Sequence, residues 1–180
     1  MGKFGLHTGD DLDEQFIDTI KSAEAETHAK NIAINYLSYR PRSSKEVIIH
    51  LTKKGFEHEC AEQVARHLQS IKMIDDERFA HAYVRDKLKR KPTGQALLRQ
   101  QLLVKGISSA MADKILAELV SPQSQQASAL QAAKRKIQLT QHLAKKIDAE
   151  KRKKRILDFL LRRGFSYEIA LKTIRTTLDH

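Results

Sequence analysis

Apolar residues recur along this chain at spacings of three and four, which is the pattern of amphipathic α-helices. Before Gly55, for example, Val47 and Leu51 stand eight and four positions earlier. Residues four apart are neighbours on one helical face, so this segment is predicted to be a short helix with a buried stripe. The plentiful Ala, Leu, Lys, Gln, Arg and Glu are strong helix formers and also favour an all-α fold.

The same pattern occurs three times, around Gly55, Gly106 and Gly164. Each glycine follows a basic residue and precedes a large apolar one. Apolar residues occupy the positions eight before, four before, five after and six after each glycine: Val47, Leu98 and Ile156; Leu51, Leu102 and Leu160; Cys60, Met111 and Ile169; Ala61, Ala112 and Ala170. We therefore predict a tandem array of three three-helix repeats, elongated and modular.

Glycine and proline residues mark the predicted turns. Only glycine adopts the left-handed conformation without a steric penalty, so each of the three glycines is expected to end a helix. Pro41 and Pro92 lie fourteen positions before their glycines and are expected to break the preceding helices. Ser108 and Ser166 are placed to cap the helices that follow the glycine turns.

Each repeat is thus predicted to run helix, proline turn, short helix, glycine turn, helix. Ser43 and Glu46 have the spacing of a capping box before the second helix. Helices are expected at about 14–39, 43–54, 58–71, 76–91, 94–104, 109–120, 124–140, 148–163 and 167–178. After a flexible N-terminus at 1–10, the repeats are expected to span 11–73, 74–121 and 122–180. Residues 121–124 are predicted to be a linker, and the third repeat lacks the proline and carries extra residues around Leu139–Lys145.

The net charge of +11 is unevenly distributed. Residues 1–28 contain two lysines and seven carboxylates, which gives −5 and leaves +16 on the remainder. A body this basic is expected to meet an anionic partner such as nucleic acid or an acidic protein surface. The alternative is a solvated helical surface with no particular partner.

The single cysteine, Cys60, cannot form an internal disulfide, which fits a reducing cytosol. No apolar run is long enough to span a membrane, and the N-terminus lacks the apolar stretch of a signal peptide. We therefore expect a cytoplasmic protein.

Candidate catalytic and metal sites are weak. Cys60 shares its register with Met111 and Ile169, which indicates a core position. His50, His58 and His67 lie near it in sequence but lack the paired spacing of zinc ligands. The run at 75–77, Asp-Asp-Glu, is better explained by Asp75 as a helix cap than by acid–base chemistry. We expect no enzyme, no cofactor, no metal and no small-molecule substrate.

The basic clusters are the strongest chemical feature, and they favour contact with a phosphate backbone or an acidic protein groove. Aromatic residues are few, and Phe56, Phe79 and Phe165 are interpreted as core, so no base-stacking platform is expected. The candidate contact residues are Arg40, Arg42, Lys53, Lys54, Arg90, Lys91, Lys134, Arg135, Lys151, Arg152, Lys154 and Arg155.

Several motifs occur together in this chain: Ser-Ser-Lys-Glu-Val at 43–47 with Leu51, Lys-Gly-Phe at 54–56, Ile-Asp-Asp-Glu-Arg-Phe-Ala at 74–80, Tyr83, Gly94, and Leu102 with Lys-Gly-Ile at 105–107. In combination they resemble the bacterial regulatory RecX family. The resemblance is closest over about 30–120 and weaker through the third repeat. The Asp-Asp-x-Arg-Phe-Ala segment together with two Lys-Gly-apolar turns is fairly specific.

The resemblance implies a non-enzymatic three-helix repeat protein that binds RecA–DNA filaments. Such a protein regulates the RecA recombinase, usually by inhibition, and thereby modulates recombination, DNA repair and the SOS response. Some members also bind single- or double-stranded DNA. The rival hypothesis is a basic helical protein that binds DNA without sequence preference and acts without a recombinase, and a third hypothesis is an enzyme of unrecognised type.

Overall fold

The computed structural model describes residues 14–140 and 148–178, with side chains from residue 19 onward. Within these ranges the chain forms nine α-helices and no strand. The helices are α1 (Glu14–Ser38), α2 (Ser44–Lys53), α3 (His58–Ser70), α4 (Asp76–Arg90), α5 (Gln95–Val104), α6 (Ser109–Leu119), α7 (Pro122–Leu139), α8 (Ala149–Arg162) and α9 (Tyr167–Leu178). The flexible N-terminus expected at 1–10 and part of the expected insertion around Leu139–Lys145 lie outside the described residues.

Each set of three helices encloses its own hydrophobic core, so the predicted all-α array of three-helix repeats is confirmed. Repeat 1 is α1–α3, repeat 2 is α4–α6 and repeat 3 is α7–α9. Three of the four sets of apolar repeat positions are at most 2% exposed: Val47, Leu98 and Ile156; Leu51, Leu102 and Leu160; Ala61, Ala112 and Ala170. The fourth set, Cys60, Met111 and Ile169, packs against the cores but is only partly buried. Burying a side chain of valine or leucine size stabilises the fold by about 1.5–3 kcal/mol, so these stripes hold each repeat together.

The three predicted glycine turns share one geometry. Gly55, Gly106 and Gly164 have φ of 95°, 87° and 81°, in the left-handed region. The amide of Phe56 donates to the carbonyl of Leu51 at 3.3 Å, and the equivalent bonds close the other two turns. This bond satisfies a carbonyl at the helix end, and it seats the apolar residue after each glycine over the last turn.

Side-chain caps begin several helices as predicted. Ser43 and Glu46 form the capping box of α2, with the Ser43 hydroxyl accepting from the Glu46 amide. Ser108 accepts from the amide of Met111 at the start of α6, and Ser166 accepts from the amide of Ile169 at the start of α9. Each cap satisfies an amide that has no partner within its helix.

The predicted linker at 121–124 is wrong. Ser121 is the N-cap of α7 and accepts from the Ser124 amide at 3.1 Å, and Pro122 is the first helical residue. Proline is favoured at this position because its missing N–H would have no helical partner and its φ already suits a helix. The segment therefore starts repeat 3.

The chain divides into two compact units. Repeat 1 belongs to the unit that ends at Asp76, and repeats 2 and 3 together form the unit that begins at Glu77. No helix in the described part of the chain is long and apolar enough to cross a membrane.

Candidate functional site

Two glycine backbones bring repeats 2 and 3 together in the second unit. The amide of Gly94 donates to the carbonyl of Arg163 at 2.8 Å, and the amide of Ala96 donates to the carbonyl of Gly164 at 3.1 Å. The Arg163 guanidinium also donates to the carbonyl of Pro92 at 2.9 Å. The proline turn of repeat 2 therefore lies directly on the glycine turn of repeat 3, and both turns are flanked by cations.

Gln125, a buried residue in the first turn of α7, completes this junction. Its side-chain oxygen accepts from the amide of Gln95 at 2.9 Å, and its nitrogen donates to the carbonyl of Thr93 at 3.3 Å. Gly94 occupies the N-cap position of α5 but has no side chain to cap it. Gln125 therefore caps α5 from the neighbouring repeat.

The junction creates a hollow of about 500 Å³, here called the polar hollow. Five of its lining residues are cations, which are Lys87, Arg90, Lys91, Arg162 and Arg163. Thr93, Leu97 and Gln101 complete the lining. Of these cations, the candidate list from the sequence contained only Arg90 and Lys91.

A second hollow, of about 350 Å³, shares Lys91 and Arg163 with the first. We call it the apolar hollow, because Pro92, Ala132, Leu139 and Phe159 line it beside four cations. Those cations are Lys91, Arg135, Lys136 and Arg163. We call the two adjoining hollows together the cationic groove, whose seven cations are Lys87, Arg90, Lys91, Arg135, Lys136, Arg162 and Arg163.

The charge of the groove is largely uncompensated. None of the described residues that line it is acidic. Within the described ranges, the one carboxylate paired with a groove cation is Asp86, which accepts from Arg90 at 2.8 Å. Both partners are more than half exposed, so this pair is weak. A groove with six other cations and low-dielectric walls concentrates positive potential and attracts an anionic ligand.

Aromatic rings hold some of these cations in place. The Arg163 guanidinium lies 5.0 Å and the Lys136 ammonium 5.7 Å from the centre of the Phe159 ring. Lys87 lies 5.1 Å from the centre of the Tyr83 ring, and the Tyr83 hydroxyl donates to Gln101 at 3.1 Å. Such contacts fix long side chains that would otherwise be mobile, which lowers the entropic cost of binding.

Repeat 1 carries a separate basic cluster around His50. The His50 ring stacks on Tyr36 with centroids 3.8 Å apart, and the Arg42 guanidinium lies 4.1 Å from the centre of the same Tyr36 ring. Burial lowers the pKa of His50, and the positive charges of Lys54, Arg42 and Lys53 lower it further. The structure thus brings three of the predicted contact residues together.

Arg40 has a structural contact in addition. Its guanidinium donates to both Glu46 oxygens, at 3.3 and 3.4 Å, and Glu46 is the carboxylate of the α2 capping box. The Arg40 charge is therefore already paired with a carboxylate, unlike those of the groove cations other than Arg90 within the described part of the chain.

The other predicted contact residues divide between the groove and its surroundings. Arg135 lines the apolar hollow, whereas Lys134 is exposed on α7 outside the lining. The run on α8, composed of Lys151, Arg152, Lys154 and Arg155, lines neither hollow. The densest run of cations in the sequence therefore lies outside the two hollows.

Cys60 and Asp76, which were rejected on sequence grounds as catalytic or metal-binding residues, make structural contacts instead. Cys60 packs against the core of repeat 1 but stays half-buried, and burial together with Glu26 and Glu57 raises the pKa of its thiol. A raised pKa keeps the thiol protonated and unreactive at neutral pH. Asp76 accepts from the amide of Ser44 at 2.8 Å and from its hydroxyl, so this carboxylate caps α2.

Comparison with known proteins identifies the family. The family model described as "RecX, first three-helix domain" matches residues 29–68, and "RecX, second three-helix domain" matches residues 75–116. A regulatory protein RecX from Prosthecochloris aestuarii is 35% identical over 151 residues, which cover 84% of this chain and 91% of the relative. One from Bacillus licheniformis is 33% identical over 175 residues, which cover 97% of this chain.

Comparison with solved structures identifies the same family. A crystal structure of a regulatory protein RecX superposes with a TM-score of 0.77 at 26% identity, covering 98% of this chain and 82% of that one. The crystal structure of RecX from Lactobacillus salivarius has a TM-score of 0.72 at 27% identity, covering 87% and 98%. The chain spans 65% of the length of the Bacillus licheniformis relative and 59% of one from Lactobacillus johnsonii. With its two matched domains, its three-helix repeats and its 35% identity across nearly a whole relative, this chain belongs to the RecX family of regulatory proteins.

Proposed function

We propose that this chain is a non-enzymatic inhibitor of the RecA recombinase that binds RecA–DNA filaments in the cytoplasm. Through that contact it modulates recombination, DNA repair and the SOS response. The observation that carries the proposal is the cationic groove, a concave site with seven cations in a member of a regulatory family.

A nucleoprotein filament is a suitable ligand for such a groove. Its DNA presents regularly spaced phosphates, and cations that neutralise phosphates release condensed counterions. The groove contacts anions through arginine forks and lysine ammonium groups, with Arg163 and Lys136 held by the Phe159 ring.

The repeat organisation supports binding to a filament rather than to a single site. Repeat 1 carries the His50 cluster, and the unit of repeats 2 and 3 carries the groove. A filament offers many identical subunits, so the second of two tethered contacts forms at a high effective concentration. Two individually weak contacts then yield an avidity that neither has alone.

The direct test is to titrate the protein into filaments of RecA on single-stranded DNA while following ATP hydrolysis and co-sedimentation. We expect saturable binding and a fall in the hydrolysis rate. A protein that neither sediments with the filaments nor changes hydrolysis at saturation would sink the proposal.

The groove is tested by a charge-reversed triple variant, K91E/R135E/R162E, all at exposed positions. Its matched control is K151E/K154E/R155E, which makes the same charge change on exposed residues outside the groove. We expect the groove variant to lose at least tenfold in filament affinity and the control to lose much less. Equal losses would mean that net charge, rather than the groove, determines binding.

The alternative function is DNA binding without a recombinase, favoured by the five cations of the polar hollow. It predicts that naked DNA and RecA filaments bind with equal affinity and with the same steep salt dependence. Measuring both affinities at two salt concentrations separates the two functions.

A further inference from the structure

The apolar hollow differs from the polar hollow in a way that a phosphate backbone does not explain. Pro92, Ala132, Leu139 and Phe159 make up its apolar wall, and Leu139 is 68% exposed. Contact with a phosphate does not stabilise an apolar wall, whereas burying another apolar side chain against it is favourable. The hollow therefore suits a ligand that is both anionic and apolar.

The wall is also poorly suited to an unstacked base. The Phe159 ring already carries the Arg163 guanidinium and the Lys136 ammonium over it, at 5.0 and 5.7 Å from the ring centre. Stacking of bases on proteins uses open aromatic faces. Here the ring positions cations instead, and the remaining apolar wall is aliphatic.

We propose that the apolar hollow binds an acidic segment of a partner protein, with a large apolar side chain of that segment on Leu139, Ala132 and Pro92. The carboxylates of the segment pair with Lys91, Arg135, Lys136 and Arg163 around the rim. At about 350 Å³ the hollow has room for one such side chain and its flanking backbone. This inference rests on the proposed function, since it takes the protein component of the filament as the source of the segment.

Charge complementarity determines this choice of occupant. Four cations and no acidic residue, among those described, line the hollow with the apolar wall, so a neutral apolar peptide would leave the cations without carboxylate partners. A purely acidic peptide would leave Leu139 in water. Only a segment with both features satisfies the rim and the wall together.

The test uses the full chain, fluorescence anisotropy and three probes. Two are synthetic peptides of equal length and net charge, one alternating Glu with Leu and Phe, the other alternating Glu with Ser and Gly. The third is an oligothymidylate. We expect the apolar acidic peptide to bind at least about tenfold more tightly than the polar one, as burial of one leucine-sized side chain predicts.

The decisive variant is Leu139→Asp, with Val104→Asp as its matched control. Val104 is 65% exposed, close to the value for Leu139, and lines neither hollow. We expect Leu139→Asp to reduce the affinity ratio of the two peptides to about one and Val104→Asp to preserve it. Conservative Leu139→Met is expected to keep the ratio.

Two results would overturn the inference. One is equal binding of the two peptides by the unaltered protein. The other is a loss of oligothymidylate binding in Leu139→Asp as large as the loss of peptide binding, which would make the hollow a nucleic-acid site. Because neither readout involves RecA, the peptide measurements test this inference independently of whether the protein inhibits the filament.

Discussion

The backbones of Gly94 and Gly164 touch, although seventy residues separate them in the chain. A Cβ placed on Gly94 would lie 2.0 Å from the carbonyl carbon of Gly164 and 2.1 Å from its oxygen. Backbone atoms cannot move aside as a flexible side chain can. The contact therefore requires glycine at position 94. Gly164 is required for a separate reason, because its φ is 81° and an added Cβ would lie 2.3 Å from the amide nitrogen of Leu97.

Gly94→Ala is expected to destabilise the second unit by at least about 2 kcal/mol, because overpacking against backbone forces repeats 2 and 3 apart. Urea denaturation followed by circular dichroism measures this loss. Filament binding is expected to fall as well, since Lys91 and Arg163 separate. A variant with unchanged stability and unchanged binding would show that the glycine contact does not shape the groove.

Gly55→Ala tests the energetic cost of the left-handed backbone conformation without adding a steric clash. Gly55 has a φ of 95°, and nothing lies within 4 Å of an added Cβ. The left-handed conformation costs a residue with a Cβ about 1–2 kcal/mol, so we expect a loss of that size confined to repeat 1. Comparing its urea midpoint with that of Gly94→Ala separates strain from overpacking. A larger loss in Gly55→Ala than in Gly94→Ala would contradict this account.

Gln125→Ala removes the cap that α7 supplies to α5. The amide of Gln95 and the carbonyl of Thr93 both lose their partner, and we expect a cost of about 1–3 kcal/mol. Gln123→Ala, at an exposed position of the same helix turn, is the control and is expected to be nearly neutral. Thermal denaturation of the two variants checks the difference, and equal melting temperatures would refute the cap.

The His50 cluster predicts a dependence on pH. Because burial and three nearby cations lower the pKa of His50 from 6.5, the unfolded chain takes up a proton that folded His50 does not. Stability in repeat 1 is therefore expected to fall as the pH drops below 6.5, until it reaches the lowered pKa of the folded state. An NMR titration of the His50 ring is expected to show a midpoint below 6.5.

Lys54→Gln and Arg42→Gln are expected to raise the midpoint of that titration by removing positive charge. Lys134→Gln removes a charge that is not among those lowering the pKa of His50, so it serves as the control and is expected to leave the midpoint unchanged. A midpoint at or above 6.5 in the unaltered protein would contradict the proposed effect of burial and charge.

Much of the fold follows from the sequence because helical periodicity and turn residues act locally. The inward stripe, the glycine turns and the Ser43–Glu46 capping box are all set by residues within a few positions of one another. The linker prediction at 121–124 was wrong because proline both breaks helices and begins them. Pro122 begins α7 because Ser121, the residue before it, caps that helix.

The groove could not be predicted, because it depends on contacts between distant turns. Repeat register aligns Gly94 with Ser43 but does not reveal that Gly94 lies on Gly164. The clustering of charge along the sequence favoured the dense cations of α8 from Lys151 to Arg155 instead, whereas Arg162 and Arg163 line the groove through tertiary contact. Phe159 was missed because its position in the sister repeats holds His50 and Gln101, so no shared aromatic pattern marked it.

In two places a side chain from one repeat caps a helix of the repeat before it, and this affects when each repeat can be completed during synthesis. Ser44 and Gln95 occupy equivalent positions, and their caps, Asp76 and Gln125, both lie in the first turn of the helix that opens the next repeat. A nascent chain leaving the ribosome therefore completes each of these repeats only after the following one has begun to emerge. The equivalent residue in repeat 3, Lys153, lies inside α8, which starts at Ala149, so this position is not at a helix start that needs such a cap.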